Sequence, residues 1–190
     1  MFRALKSRDI PWVEYIQPTG EPESKLVEEA TRSFLQSGCD AIVAIGGGSA
    51  LDAAKGIALL ADQPNMTARD MYNPANIVNK RVDFIAVATN AGKGSEATNV
   101  TVITDSETRL KHLIAHPDLM PDLALIDACL MLKLPSSVTA ATGVDALTHA
   151  VEAYVAQKAT PMTRALAYQA LRMIGDALPI VVGQGSNIQA

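Results

Sequence analysis

The sequence is poor in the residues that support disulfides, membrane insertion or a strong electrostatic field. Its 190 residues include only two cysteines, and the net charge is −4. Cys39 and Cys129 are far apart and form no C-x-x-C pair, which is typical of reduced core thiols in a cytosolic protein. The weak negative charge argues against a nucleic-acid surface. No apolar run approaches the ~20 residues of a membrane helix, and the charged segment Met1–Ile10 does not resemble a signal peptide. We therefore predict a cytoplasmic protein without a nucleic-acid or membrane partner.

Several common catalytic and nucleotide motifs are also absent. A G-x-G-x-x-G fingerprint beginning at Gly46 would need glycine at position 51, which is Leu51. A P-loop ending in Lys93 would need glycine at position 87, which is Val87, and a hydroxyl residue at position 94, which is Gly94. The sequence has no H-E-x-x-H zinc motif and no G-x-S-x-G nucleophile motif. The usual versions of these sites are thereby excluded.

The stretch from residue 40 to residue 55 is the central feature of the sequence. Ala41–Ile45 is an apolar run typical of a buried strand, three glycines follow, and the apolar spacing after Ser49 predicts a helix. This order gathers bare backbone N–H groups at a helix N-terminus, where an anion binds favourably. We expect Ser49 to cap the helix. The alternative is a tight turn that binds nothing, which the presence of Asp52 and Lys55 disfavours.

The remaining periodicity divides the chain into two parts. It predicts strands at Trp12–Ile16, Phe84–Ala88, Val100–Thr104, Leu110–Ala115 and Leu123–Ile126, and helices at Ser24–Ser37, Ser136–Ala156 and Pro161–Val182, besides a helix end at Met1–Ser7. Alternating strands and helices imply an α/β fold with a parallel sheet and helices on both faces. Beyond Pro135 only helices follow. We therefore predict an α/β domain over residues 1–135 and the first helices of an all-α domain over residues 136–190.

Asp145 and His149 form a candidate metal site. They are four residues apart on a predicted helix, so both project from one face and can hold one divalent ion. Their apolar neighbours indicate a sheltered position, and the alternative is an Asp–His hydrogen bond that ties a buried helix. His112 and His116 show the same spacing, but their segment is predicted to be extended, which places them ~13 Å apart. Lys111 beside them is either a ligand for phosphate or ribose or a solvated charge.

Three motifs, at Gly46–Lys55, Thr89–Glu96 and Thr142–Glu152, together resemble those of the iron-containing (group III) alcohol dehydrogenase family. The family pattern is G-G-G-S-x-x-D-x-A-K, then T-T-A-G-T-G-S-E, then G-x-D-A-L-x-H-A-x-E. The chain is most similar to the ethanolamine-utilisation alcohol dehydrogenases of this family. The resemblance implies an α/β dinucleotide-binding domain followed by an all-helical domain, with metal and substrate in the cleft between them.

The resemblance also implies roles for individual residues. Gly47, Gly48 and Ser49 would hold the pyrophosphate of NAD or NADP, Asp52 would lie near the nicotinamide, and Thr89, Asn90, Lys93, Val102 and Lys111 would line the cofactor. Asp145 and His149 would be two of four ligands of Fe²⁺ or Zn²⁺. The implied activity is hydride transfer between the nicotinamide cofactor and a small alcohol or aldehyde, with metal assistance. A homo-oligomer is expected.

The sequence departs from the family pattern in ways that leave other functions open. Asn90 and Lys93 stand where the pattern has threonines, and Lys93 either helps to hold phosphate or blocks the pocket. Family members are near twice this length, so the resemblance implies truncation at both ends, with two histidine ligands beyond Ala190 and an inactive isolated chain. One alternative is an inactive nucleotide-binding or assembly module. Another is a relative of glycerol dehydrogenase or dehydroquinate synthase.

Overall fold

The structure of the protein is a computed structural model, and it describes residues 2–18, 20–63 and 65–188. In chain order the elements are α1 (Phe2–Lys6), α2 (Ser24–Ser37), β1 (Ala41–Gly46), α3 (Gly48–Leu60), β2 (Asp83–Ala88), β3 (Val100–Thr104), β4 (Lys111–Ala115), β5 (Leu123–Ile126), α4 (Ser136–Val155) and α5 (Pro161–Gly183). Helix α2 has the predicted bounds and ends at Gly38, whose φ of 68° favours glycine.

A parallel sheet with the strand order β1-β2-β5 forms the centre of the α/β part. Its register pairs Ala44 with Ala86 and Gly46 with Ala88. Strands β1 and β2 therefore end together at one edge, and the chain turns that follow them lie side by side. The predicted α/β fold with a parallel sheet is confirmed, and a helical segment follows it.

Helix α3 packs on one face of this sheet because small side chains let it approach. Ala44 and Ala86 belong to the same buried cluster as Leu51, Ala54 and Phe84. The other side of α3 is equally close to its neighbours. A Cβ atom built on Gly56 would lie 2.9 Å from Cδ1 of Ile103 and 3.3 Å from Cγ1 of Val27. The absence of a side chain at Gly56 thus lets α3 pack closely against β3 and α2.

Strands β3 and β4 form a separate antiparallel hairpin beside α3, as the two adjacent apolar runs predict. Ile103 of β3 and Ile114 of β4 are fully buried in a cluster with Val27 of α2 and Leu59 of α3. The second core therefore lies between α2, α3 and the hairpin. It holds the hairpin against the helix that begins at the glycine turn.

Helices α4 and α5 pack mainly on each other. Gly143 lies in the first half of α4, and a Cβ atom built on it would be 2.2 Å from Cδ1 of Leu178, near the end of α5. The two helices therefore run antiparallel. Against the expectation that no apolar run approaches the length of a membrane span, α5 is long and apolar enough to cross a membrane by length and composition.

Three other expectations are wrong. Residues 12–16 are irregular rather than a strand, and Val13 and Ile16 are 59% and 79% exposed. The segment pairs with no strand among the residues that the structure describes, and an unpaired strand is not stable alone.

The second face of the sheet is not covered by a helix within the described ranges. Four apolar side chains on that face are exposed: Val43, Ile45, Leu123 and Leu125. Of the predicted core cysteines, Cys39 is half-buried and Cys129 is exposed.

Candidate functional site

Two glycine-containing turns meet at the carboxyl ends of β1 and β2. The amide of Thr89 donates a hydrogen bond to the carbonyl of Gly46 at 3.0 Å, which joins the first turn to the second. Carboxyl ends of neighbouring parallel strands are the usual position of ligand sites in α/β sheets. The first amides of α3, which have no partner within the helix, point out of this edge.

The cap of α3 differs from the sequence prediction. Helix α3 begins at Gly48, and its N-cap is Gly47, without a side-chain hydrogen bond. Ser49 lies within the first turn of the helix and not before it, so the prediction that Ser49 caps the helix is wrong. The cause is that the chain becomes helical one residue earlier than the serine. The Gly47 carbonyl accepts the first helical bond from the amide of Leu51 at 3.1 Å.

Side chains of the second turn cover the two glycines of the first. A Cβ atom on Gly47 would lie 2.6 Å from Nδ2 of Asn90, and one on Gly48 would lie 2.8 Å from Cδ of Lys93. These separations are closer than van der Waals contact allows, so a side chain at either position would have to displace Asn90 or Lys93. The two residues that depart from the family pattern are thus both placed against the glycine turn.

Lys93 reaches past the turn to a buried acid. Its Nζ lies 3.6 Å from Oδ2 of Asp52, whose side chain is 3% exposed. Burial raises the pKa of Asp52, and attraction to Lys93 and a hydrogen bond with Ser95 oppose this rise. The hydroxyl of Thr101 donates to the backbone carbonyl of Asp52 at 2.7 Å. Asp52 is therefore fixed in the core directly behind the glycine turn.

Lys55 belongs to the interior and not to the anion site. Its side chain is fully buried, and its Nζ lies 2.7 Å from the Thr98 carbonyl and 2.9 Å from the Val100 carbonyl. Burial lowers the pKa of Lys55 to about 8. The sequence pattern counts Lys55, together with Asp52, against a turn that binds nothing. In the structure Lys55 has a different role, because its ammonium group holds α3 to the start of β3.

A cavity of about 470 Å³ lies beside the first turn and is lined by Gln17, Pro18, Gly20, Glu21, Gly47, Gly48, Ser49, Ala50 and Asn90. Glu21 at its rim accepts a hydrogen bond from Nζ of Lys111 at 2.5 Å. This bond lowers the pKa of Glu21. Lys111 is therefore linked to the cavity by its ion pair with Glu21, and it is not a solvated charge without a partner.

Four residues that line the cavity were not predicted as part of the site: Gln17, Pro18, Gly20 and Glu21. Neither glycine spacing nor a charge pattern marks them in the sequence. Glu21 and Lys111 are 90 positions apart, and only the folding of the hairpin brings them together. Val102 lies half-buried in β3, next to Thr101, and is not one of the described residues that line the cavity.

The predicted metal ligands share one face of α4. Nε2 of His149 lies 4.0 Å from Oδ1 of Asp145, and their side chains are 48% and 46% exposed. The helical spacing is confirmed, whereas the predicted sheltered position is not found. No group of three or more possible metal ligands occurs among the residues that the structure describes. One imidazole and one carboxylate suit a divalent ion chemically, but they form only part of a ligand set.

The second turn also touches α4. A Cβ atom on Gly92 would lie 3.0 Å from Cβ of Thr142, three residues before Asp145. All three sequence motifs therefore converge, since the second turn contacts both the first turn and the helix of the Asp–His pair. Glycine at position 92 allows this close approach.

The other two histidines lie outside this site. His112 is in β4 and stacks on Tyr72 with ring centroids 3.8 Å apart. Nδ1 of His116 accepts a hydrogen bond from the amide of Asp118 at 3.2 Å. His116 has extended backbone angles, which confirms the prediction that this segment is extended.

This arrangement places the glycine turns at the edge of a parallel α/β sheet in contact with a helix that carries an Asp–His pair. The family model described as iron-containing alcohol dehydrogenase matches residues 1–128, and the one for the C-terminal part of that family matches residues 139–190. The chain belongs to the iron-containing alcohol dehydrogenase family. The resemblance inferred from the three motifs is confirmed.

Individual relatives agree with this assignment. The chain is 47% identical over 188 residues to a protein of Escherichia coli named probable alcohol dehydrogenase EutG, covering 99% of this chain and 47% of that protein. It is 44% identical to the NAD-dependent methanol dehydrogenase of Bacillus methanolicus, covering 90% and 44%. The crystal structure of a 1,3-propanediol oxidoreductase superposes with a TM-score of 0.83 at 38% identity, covering 92% and 45%. The chain spans about half the length of these relatives.

Proposed function

We propose that this chain forms the nucleotide-binding part, and half of the metal site, of an NAD- or NADP-linked dehydrogenase for a small alcohol or aldehyde. The observation that supports it most directly is the convergence of both glycine turns with α4. Family membership supplies the reaction class. When bound, the nicotinamide carries the hydride and a divalent ion such as Fe²⁺ or Zn²⁺ polarises the alcohol oxygen.

In this proposal the chain's own residues bind and orient the cofactor. Backbone amides of Gly47, Gly48 and Ser49 hold the pyrophosphate at the start of α3. Asp52 lies near the nicotinamide, and Thr89, Asn90, Lys93, Val102 and Lys111 line the remaining cofactor surface. The cavity beside Gly47 supports this placement, as does the half-buried position of Gly48, Ser49 and Asn90 around it.

We further propose that Asp145 and His149 are two of the metal ligands. They face each other across one helical turn, and the exposed face of α4 leaves room for further donors. The proposed division into residues 1–135 and 136–190 places these ligands on the helical domain and the cofactor on the other. A cytoplasmic homo-oligomer without a membrane or nucleic-acid partner completes the proposal.

The isolated 190-residue chain is expected not to oxidise alcohols at a useful rate. Two half-exposed ligands hold a divalent ion weakly, and water has free access to both side chains. The test supplies purified chain with NAD or NADP, anaerobic Fe²⁺ or Zn²⁺, and short primary alcohols and diols, and follows the absorbance of the reduced cofactor.

The result separates the proposed function from its alternative. Turnover that disappears in Asp145→Ala or His149→Ala would contradict the expected inactivity and would confirm the metal ligands. An inactive nucleotide-binding module is the second candidate, because only two metal donors lie together among the described residues. A longer version of the chain that includes the flanking sequence and still shows no turnover would favour that module.

A further inference from the structure

Lys93 lies between the glycine turn and a buried carboxylate. Its stem covers Gly48, where a Cβ atom would be 2.8 Å from Cδ of Lys93. Its Nζ ends 3.6 Å from Oδ2 of Asp52. A ligand that approaches Gly48 from the side of this Cβ position therefore meets the Lys93 side chain first.

The two side chains of this ion pair differ in how much room they have to move. The Asp52 side chain is 3% exposed, whereas that of Lys93 is 42% exposed. Their separation of 3.6 Å is longer than the roughly 2.7–2.9 Å of a charge-assisted hydrogen bond. The pair is thus held by charge attraction and not by a tight hydrogen bond. Lys93 is able to leave by rotation of its stem, while Asp52 stays fixed in the core.

Asp52 keeps other support when Lys93 leaves. A hydrogen bond with Ser95 and attraction to the ammonium of Lys55 both oppose the rise in the pKa of Asp52 that burial causes. Lys55 itself cannot serve the cavity, because its Nζ is occupied by Thr98 and Val100. Lys93 is therefore the cation of the second turn that is free to change partners.

We propose that Lys93 is an exchangeable cation that pairs with Asp52 in the free protein and with the diphosphate of a bound nucleotide. This inference rests on the proposed nucleotide site at Gly47–Ser49. It makes Lys93 a specificity-determining residue that favours diphosphate ligands over uncharged nucleosides. The exchange also uncovers Gly48, so a single side-chain rotation both opens the turn and supplies a positive charge to the ligand.

The test measures binding of ADP and of adenosine by calorimetry at low and high salt. Lys93→Met keeps an unbranched stem of similar length and removes the charge. We expect it to weaken ADP binding by about tenfold, with a smaller salt dependence and unchanged adenosine binding. Lys158→Met is the matched control, because Lys158 is exposed in the turn between α4 and α5. It should bind ADP like the parent.

A double-mutant cycle tests the exchange itself. Asp52→Asn removes the competing partner, so we expect tighter ADP binding in the parent background and no such gain in the Lys93→Met background. Equal gains in both backgrounds would overturn the exchange, as would ADP binding that is unchanged or tighter in Lys93→Met. A parent that binds adenosine and ADP equally, or neither, would overturn the proposed phosphate site together with this inference. ADP binding that is insensitive to Lys93 would leave the site standing and reject the exchange alone.

Discussion

Single residues at the first turn are constrained by what covers them. Gly47 has a φ of −81°, which any residue adopts, so backbone strain does not demand glycine there. Glycine is favoured at positions 47 and 48 because Asn90 and Lys93 occupy the space that side chains there would need. The turn is thus both a backbone anion site and a packing surface for the second turn.

Gly48→Val is expected to abolish NAD(H) binding. The new side chain would stand at the amide that we assign to the pyrophosphate and would displace the stem of Lys93. Because that stem is flexible and half-exposed, the protein should remain folded. Calorimetric titration with NAD(H) measures the loss, and circular dichroism checks the fold.

A control for this change lies on α5. A Cβ atom on Gly175 would have no atom within 4 Å, so Gly175→Val should bind NAD(H) like the parent. Unaltered affinity in a folded Gly48→Val protein would show that the phosphate site is elsewhere.

At the scale of elements, close glycine contacts decide how helices pack. Gly56 brings α3 against β3, Gly92 brings the second turn against α4, and Gly143 brings α4 against α5. In each case an added methyl group would meet a neighbouring element. The elements that carry the three motifs are therefore positioned by small residues as much as by apolar burial.

Gly143→Ala is expected to destabilise the α4–α5 pair. The new methyl would lie 2.2 Å from Cδ1 of Leu178, and overpacking of this kind costs about 1–3 kcal/mol. Alanine at an open helical position instead gains about 0.5–1 kcal/mol over glycine. Urea unfolding should thus place Gly143→Ala below the parent and Gly175→Ala slightly above it.

The partner side chain provides the check on this mechanism. In a Leu178→Ala background the space opposite Gly143 is open, so Gly143→Ala should then cost little. An equal loss of stability with and without Leu178 would mean that helix packing is not the cause.

The whole molecule leaves apolar surface uncovered on the sheet. Val43 and Ile45 of β1 and Leu123 and Leu125 of β5 share the face opposite α3, with exposures of 43–53%. Contiguous exposed apolar patches are typical of interaction surfaces. Among the described residues, the central sheet is therefore covered on one side only.

We expect this face to promote self-association of the chain, in line with the proposed homo-oligomer. Val43→Glu and Leu125→Glu should lower the association constant measured by sedimentation velocity across a concentration series, because each places a charge on the patch. Met162→Glu on α5 is the matched control, since Met162 is 70% exposed away from the sheet. Equal effects of all three substitutions would indicate association that does not depend on the sheet.

The sequence by itself determined the elements and the order of the motifs. Periodicity is a local property, so α2, β2 and the β3–β4 hairpin could be predicted with nearly correct bounds. It failed at residues 12–16, where apolar residues find no strand partner in the described structure, and at Ser49, because the N-cap lies two residues earlier, at Gly47. The family also followed from the sequence, because three motifs in a fixed order are specific.

Only the tertiary structure decided where the charged side chains go. Lys55 and Lys93 lie in or near glycine motifs, yet one is buried against β3 and the other pairs with Asp52 across two turns. Lys111 joins the site through Glu21, 90 positions away. Local spacing carries no information on such partners, because they are set by how the hairpin, the sheet and α3 pack together.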